Sequence, residues 1–319
     1  MNLGDLLPLT LSASAPQARS QRLENGVELR WLGEGLLNIE PPAPGPLHLL
    51  LSAGVHGNET APVELIDRIL REVVAGRVVP RNRALVVLGN PDALRAGIRY
   101  LDNDLNRLFN GGHLNYGGKE AERASLLETL AKDFFQGAPQ RLHYDLHTAI
   151  RASHIERFAL YPYHPGRTLA PCELQRLGSA GIAALLNHQQ PGHTFTAYTQ
   201  GALAAESITL ELGKARPFGQ NADLDLSALQ RVISDLLEAC ESPPAAPPRV
   251  FQVAHSIVKK SEAFRLLLPA DCKNFTPLPK GYVLAEDGDQ RWRIEEEGVH
   301  VLFANASVKP GLRAALLVV

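Results

Sequence analysis

The order of apolar runs along this chain predicts an α/β protein, with a mostly parallel mixed sheet flanked by helices and a small all-β region after it. Three observations carry the reading. From residue 47 onward, short strand-like runs alternate with helix-period segments, the pattern of a parallel sheet with crossover helices. A proline-rich stretch, Ser242-Pro-Pro-Ala-Ala-Pro-Pro-Arg249, then breaks the pattern as a stiff linker would. Beyond it only short apolar runs remain, divided by Gly, Asp, Asn and Pro. The 319 residues thus divide into an α/β domain over 1–242 and a small β domain over 243–319.

The elements follow in order. Alternation at 27–31 marks an edge strand before the main sheet. Apolar runs at 47–52 and 84–88 read as buried strands. Between them Val63, Ile66, Ile69, Leu70 and Val73 share one helical face, and Pro62 sits in the first turn, where a missing N–H costs nothing. Glu59 therefore falls at or just before a helix start. A helix over 119–135 carries Ala121, Ala124, Leu127, Leu130 and Ala131 on one side, and a strand covers 142–146. The Ala-rich segment 179–187 reads as a short helix. At 207–212 strict alternation puts Ser207, Thr209 and Glu211 on one face and Ile208, Leu210 and Leu212 on the other. An amphipathic helix over 224–240 closes the domain, and strands are expected at 250–255, 282–284, 291–294 and 299–303.

Composition excludes several classes of function. Lys and Arg number 32 against 34 Asp and Glu, for a net charge of -2, and no block of like charge offers a surface to nucleic acid or an anionic membrane. The start, Met1-Asn2-Leu3-Gly4-Asp5, lacks a signal-peptide pattern and no apolar stretch is long enough to span a bilayer, so a cytoplasmic protein is expected. Cys172, Cys240 and Cys272 are odd in number and far apart, which argues against disulfides and thiolate zinc sites and for buried or half-buried thiols. Any metal site must use histidine and carboxylate.

His56-Gly57-Asn58-Glu59 supplies half of such a site, and His147, in Asp145-Leu146-His147, is the best third ligand. A catalytic zinc takes three protein ligands of these types and keeps one position open. His56, His147 and Glu211 all fall at or beyond the carboxyl ends of expected strands, where open α/β sheets bind ligands. Glu211 reads either as an ion-pair partner of Lys214 or Arg216, or as a general base beside the metal. Asp145 shares a strand face with His147, so it reads either as the acceptor of an N–H from that histidine or as the partner in an unrelated hydrogen bond. The segment 90–109 is dense in Arg, Asn and Asp. It reads either as a solvated face stitched by ion pairs or as a holder of carboxylates.

These motifs together resemble the succinylglutamate desuccinylase and aspartoacylase family of zinc carboxypeptidase-like hydrolases. The matching pieces are Gly54-Val-His-Gly-Asn-Glu-Thr60, Asn90-Pro91, Arg99-Tyr-Leu-Asp-x-Asp-Leu-Asn-Arg107, Asp145-Leu-His-Thr148 and Glu211-Leu-Gly213, in that order over residues 46–219. The resemblance implies one Zn²⁺ on His56, Glu59 and His147, with Glu211 as base and proton shuttle. It further implies that Arg99 polarises the scissile carbonyl and that Asn106 and Arg107 hold a substrate carboxylate, with Arg151 as a second such contact. The segments 145–151 and 209–219 favour the desuccinylase branch, which implies hydrolysis of N-succinyl-L-glutamate to succinate and L-glutamate in arginine catabolism. The alternatives are a deacylase of another N-acyl amino acid, a zinc carboxypeptidase, and a zinc-bound protein without activity; Glu211 argues against the last, since a pure binding site needs no base.

Overall fold

The computed structural model describes residues 2–269 and 271–319. The chain opens with α1 (Leu6–Leu11) and three antiparallel strands, β1 (Ser20–Arg22), β2 (Glu28–Gly33) and β3 (Leu36–Glu40). It continues with β4 (Leu47–Ala53), α2 (Thr60–Val74), β5 (Arg83–Leu88), α3 (Pro91–Ala96), α4 (Lys119–Phe135), β6 (Gln140–Ala149) and β7 (Arg157–Tyr161). Then come α5 (Pro171–Ser179), β8 (Ala184–Asn187), α6 (Phe195–Leu203), β9 (Glu206–Lys214) and α7 (Ser227–Glu238). After the proline-rich segment lie β10 (Arg249–Val258), β11 (Arg265–Leu266), β12 (Thr276–Leu278), β13 (Val283–Asp287), β14 (Gln290–Arg293), β15 (Val299–Leu302) and β16 (Arg313–Val318).

One 13-stranded sheet runs in the order β1-β2-β3-β5-β4-β6-β9-β7-β8-β10-β16-β15-β12, beside a small sheet β11-β13-β14. The central strands β5, β4, β6 and β9 are parallel. Because both faces of these strands are covered, their apolar runs alternate between two cores rather than between core and water. Leu49, Leu51 and Ala53 pack with α2 and α7, whereas Leu50, Leu85 and Val87 pack with α4 and α6. On α2, Val63, Ile66, Ile69, Leu70 and Val73 are all buried, and each such side chain contributes about 1.5–3 kcal/mol by leaving water.

The expected fold class is thus the observed one. The N-terminal edge strand takes its place, joined by two more. The segment 179–187 is a correction: it holds the last residue of α5, a turn and strand β8, not a helix. Gly181 takes a positive φ of +76° that ends the helix, and residues 184–187 then fill the parallel gap between β7 and β10. Ladder pairing outweighs the helix preference of Ala and Leu. The thiols are a second correction, since Cys172 and Cys240 are exposed and only Cys272 is buried, all three being free. The linker does not interrupt the sheet, because β10 pairs with β8 on one side and β16 on the other.

Chain order reverses at β4. The connection through α2 leads from β4 to β5 on one side, and the next crossover leads to β6 on the other. Such a switch point opens a crevice at the carboxyl ends of the strands, where α/β proteins bind ligands.

Candidate metal centre and active site

The loop after β4 and the end of β6 meet at this switch point. His56 and Glu59 come from the loop, and His147 stands near the end of β6. Their ligand-type atoms lie within 4.8 Å of one another, and all three side chains are buried. Backbone sterics shape the loop. A Cβ on Gly57 would fall 2.0 Å from the Ala93 carbonyl carbon, so only glycine lets the loop pass against α3. Glu59 occupies the N-cap position of α2 but makes no side-chain cap. Its carboxylate is turned to the histidines instead.

Each Glu59 oxygen has two partners. Oε1 lies 2.9 Å from His56 Nδ1 and accepts from Arg99 Nη1 at 2.9 Å. Oε2 lies 2.9 Å from His147 Nδ1 and accepts the Thr148 N–H at 3.0 Å. Burial alone would raise this carboxyl, but the charges of His56 and His147 hold it well below the usual carboxylate range. The outer nitrogens face carboxylates too: His147 Nε2 is 2.8 Å from Asp145 Oδ2, and His56 Nε2 is 2.9 Å from Asp104 Oδ1. With both nitrogens facing carboxylates, and despite burial, His147 is raised well above the ordinary histidine value by Asp145 and Glu59.

This arrangement fits a metal ion. Two Nδ1 atoms and a carboxylate converge, and each histidine is held from behind by an aspartate, the usual support of a ligating imidazole. Glu211 Oε2, Asn58 Oδ1 and Thr148 Oγ1 are buried without a hydrogen-bond partner among the described residues. Buried polar atoms of native sites are normally satisfied, so orphans around a donor cluster mark the place of a ligand. Borderline nitrogen and hard oxygen donors together suit a divalent ion such as zinc.

Glu211 is set by strand register. His147 on β6 and Glu211 on β9 are direct cross-strand partners. Glu211 is buried, pairs with neither Lys214 nor Arg216, and is pushed up to about 7 by burial and by the Glu59 charge. Arg216 instead meets Asp223.

The segment 97–118 reaches the same place through α4. Glu120, at the start of that helix, accepts the Leu101 N–H at 2.7 Å, and Gly57 donates its N–H to the Arg99 carbonyl at 3.1 Å. Arg99 is thereby brought onto Glu59. A short 3-10 turn, Leu105–Arg107, presents Asn106 and Arg107. The Asn106 side-chain oxygen accepts the Phe195 N–H at 3.1 Å, and Arg107 Nη1 donates to the Asn106 carbonyl at 2.8 Å. Arg151 Nε donates to the Ala304 carbonyl and its Nη1 to that of Cys272 at 3.1 Å, tying the loop after β6 to the C-terminal region.

Two residues escaped sequence reasoning. Asp104 is a matching position of the 99–107 motif, but nothing in the sequence gives it a role. Burial would raise it, but His56, Arg107 and Arg99 hold it far below the usual range. Arg313, at the start of β16, makes no ion pair among the described residues. Burial and the nearby Arg107 charge lower it to about 10. Burial, Arg313 and Arg107 in turn lower His188 to about 3, so it stays neutral near the two arginines.

The fold and the cluster define the class, an α/β protein whose sheet switch point carries a buried His-Glu-His site able to hold a metal ion, with a glutamate of raised pKa beside it. Comparison with known families is specific: "Succinylglutamate desuccinylase/Aspartoacylase catalytic domain" matches residues 46–238 and "AstE/AspA barrel-sandwich hybrid domain" matches 246–319. The succinylglutamate desuccinylase of Pseudomonas fluorescens (strain Pf0-1) is 51% identical over 99% of this chain and 97% of its own length. Among solved structures, that from Chromobacterium violaceum is 42% identical with a TM-score of 0.87, covering 98% of this chain and 96% of that one. That from Vibrio parahaemolyticus is 32% identical with a TM-score of 0.92, covering 98% and 94%. Both carry the name succinylglutamate desuccinylase. The chain belongs to the succinylglutamate desuccinylase/aspartoacylase family.

Proposed function

We propose that this protein hydrolyses N-succinyl-L-glutamate to succinate and L-glutamate, as a zinc-dependent cytoplasmic enzyme of arginine breakdown. The observation that carries the reading is Glu211: buried, without an ion-pair partner among the described residues, and directly opposite His147 in the sheet. The full-length relatives of that name support the substrate.

His56, Glu59 and His147 would hold the zinc, which when bound polarises the scissile carbonyl and makes a coordinated water more acidic. Glu211 takes the proton of the attacking water and returns it to the departing glutamate nitrogen, a task suited to a carboxylate raised toward neutrality. Arg99 donates to the oxygen on which charge develops. The substrate brings three carboxylates into the crevice, which is costly unless cations receive them. Arg107 and Asn106 hold one of them, and Arg313, near enough to feel the Arg107 charge, supplies further positive potential. Arg151 fixes the C-terminal region over the loop that follows His147.

The test is product analysis with metal counting. The purified chain should bind about one zinc and release succinate and free glutamate in equal amounts. Zinc bound without release would leave a metal-binding protein and contradict the assignment.

A further inference from the structure

Behind His147, on the buried face of the central strands that packs against α6, lies an unbroken line of polar side chains. Asp145 Oδ1 accepts from Ser52 Oγ at 2.5 Å, and Ser52 Oγ is 2.8 Å from His143 Nε2. His143 Nδ1 is 2.8 Å from Thr199 Oγ1, and Thr199 Oγ1 is 2.9 Å from Ser207 Oγ. Ser52, His143, Asp145, Thr199 and Ser207 all have 0% exposure, and each contact in the line is direct.

Proton counting gives this line one direction. An aspartate carboxylate accepts, and the Ser52 hydroxyl has a single hydrogen, which its contact with Asp145 requires. Ser52 can then only accept from His143, so the His143 proton is on Nε2. Were it on Nδ1, either the Ser52–Asp145 or the Ser52–His143 contact would oppose two lone pairs. Burial keeps His143 neutral, at about 4, so Nδ1 is an acceptor and the Thr199 hydroxyl must donate to it. The weaker contacts of Thr199 with the Phe195 and Thr196 carbonyls, 3.2 Å each, lose that hydrogen. Ser207 in turn donates to Thr199. Every donor from Ser207 to Ser52 points toward Asp145, whose other oxygen receives His147 Nε2.

We propose that Ser52, His143 and Thr199 are positioning residues: a one-way hydrogen-bond chain that fixes Asp145 as acceptor and so commits His147 to the tautomer with Nδ1 free for the metal. The chain explains why three consecutive strands of a sheet buried on both faces carry Ser, His, Asp and Ser where apolar residues are the rule. A half-satisfied buried network costs more than an apolar core, so losing one member penalises the rest. The inference rests on the metal-site reading but not on the substrate.

The experiment uses Thr199→Val, which keeps the shape and loses the hydroxyl, with Thr199→Ser as the control that keeps it. Zinc affinity of the full chain is read by chelator competition, and histidine tautomers of the zinc-loaded protein by ¹⁵N NMR. His143 should show its proton on Nε2. Thr199→Val should weaken zinc about threefold to tenfold, Ser52→Ala about tenfold to a hundredfold since it touches Asp145 itself, and Thr199→Ser should match wild type. A proton on His143 Nδ1, or equal zinc affinity in the Val and Ser variants, would overturn the proposal. Should Ser52→Ala not fold, the Thr199 pair decides alone. If zinc and tautomers behave as expected while N-succinylglutamate is untouched, the positioning chain stands and the substrate assignment falls.

Discussion

His147 and Glu211 face each other across β6 and β9, one a member of the His-Glu-His cluster able to hold a metal ion, the other a buried carboxylate with no ion-pair partner among the described residues. Parallel register alone sets this relationship. A slip of one residue in β9 would turn Glu211 toward the apolar core lined by Leu210 and Leu212, and the same slip in β6 would turn His147 away.

The first prediction concerns that glutamate. Glu211→Gln keeps the shape and removes the base, so turnover should fall about 10²–10⁴-fold while zinc remains near one per chain. Steady-state rates with metal analysis of the same samples check it. Loss of metal along with activity would make Glu211 a ligand instead.

Asp104 supports His56 as Asp145 supports His147. Asp104→Asn should therefore weaken zinc about 10–100-fold, with KM at saturating zinc changed far less. Chelator competition measures the first quantity and kinetics at excess zinc the second. An unchanged zinc affinity would remove Asp104 from the metal site.

In the proposed function Arg107 and Arg313 compensate the substrate carboxylates. Charge-assisted hydrogen bonds contribute about 1.5–3 kcal/mol, so Arg107→Ala or Arg313→Ala should raise KM about 10–100-fold with kcat nearly kept. Measuring both constants for each variant tests this. A fall confined to kcat would place the residue at the reacting carbonyl.

Acid sensitivity should report on His143. Its folded value of about 4 lies below the unfolded value near 6.5, so its share of stability is present above 6.5 and is lost as pH falls toward 4. That share is about 3 kcal/mol. Glu211, raised in the fold, has the opposite sign over part of the same range. The readout is therefore the difference between wild type and His143→Gln in urea unfolding of metal-free protein at pH 7 and pH 5. The variant should lose less stability over that step.

Much of the site was legible because its parts lie at short, fixed spacings. His56-x-x-Glu59 and Asp145-x-His147 are set by one loop and one strand, and alternation alone aims Glu211. The helix over Lys119–Phe135 was equally plain, since its small and apolar residues recur at helical period. Asp104 was not legible, because its contact with His56 spans 48 residues and depends on how Glu120 draws the intervening loop onto α4. Arg313 was hidden for the same reason, since strand pairing at the far end of the chain decides where it lies. Strand β8 was lost because Ala and Leu state a helix preference that only the neighbouring strands overrule.

The central claim is a metal-dependent hydrolysis chosen by the acyl group. It is tested most directly by kcat/KM for N-succinyl-L-glutamate, N-acetyl-L-aspartate and a short peptide, measured side by side on the zinc-loaded chain. The account predicts that succinylglutamate is turned over at least tenfold better than either competitor, and that the activity disappears on chelation and returns with zinc. Equal or better turnover of acetylaspartate, or activity indifferent to the metal, would contradict it.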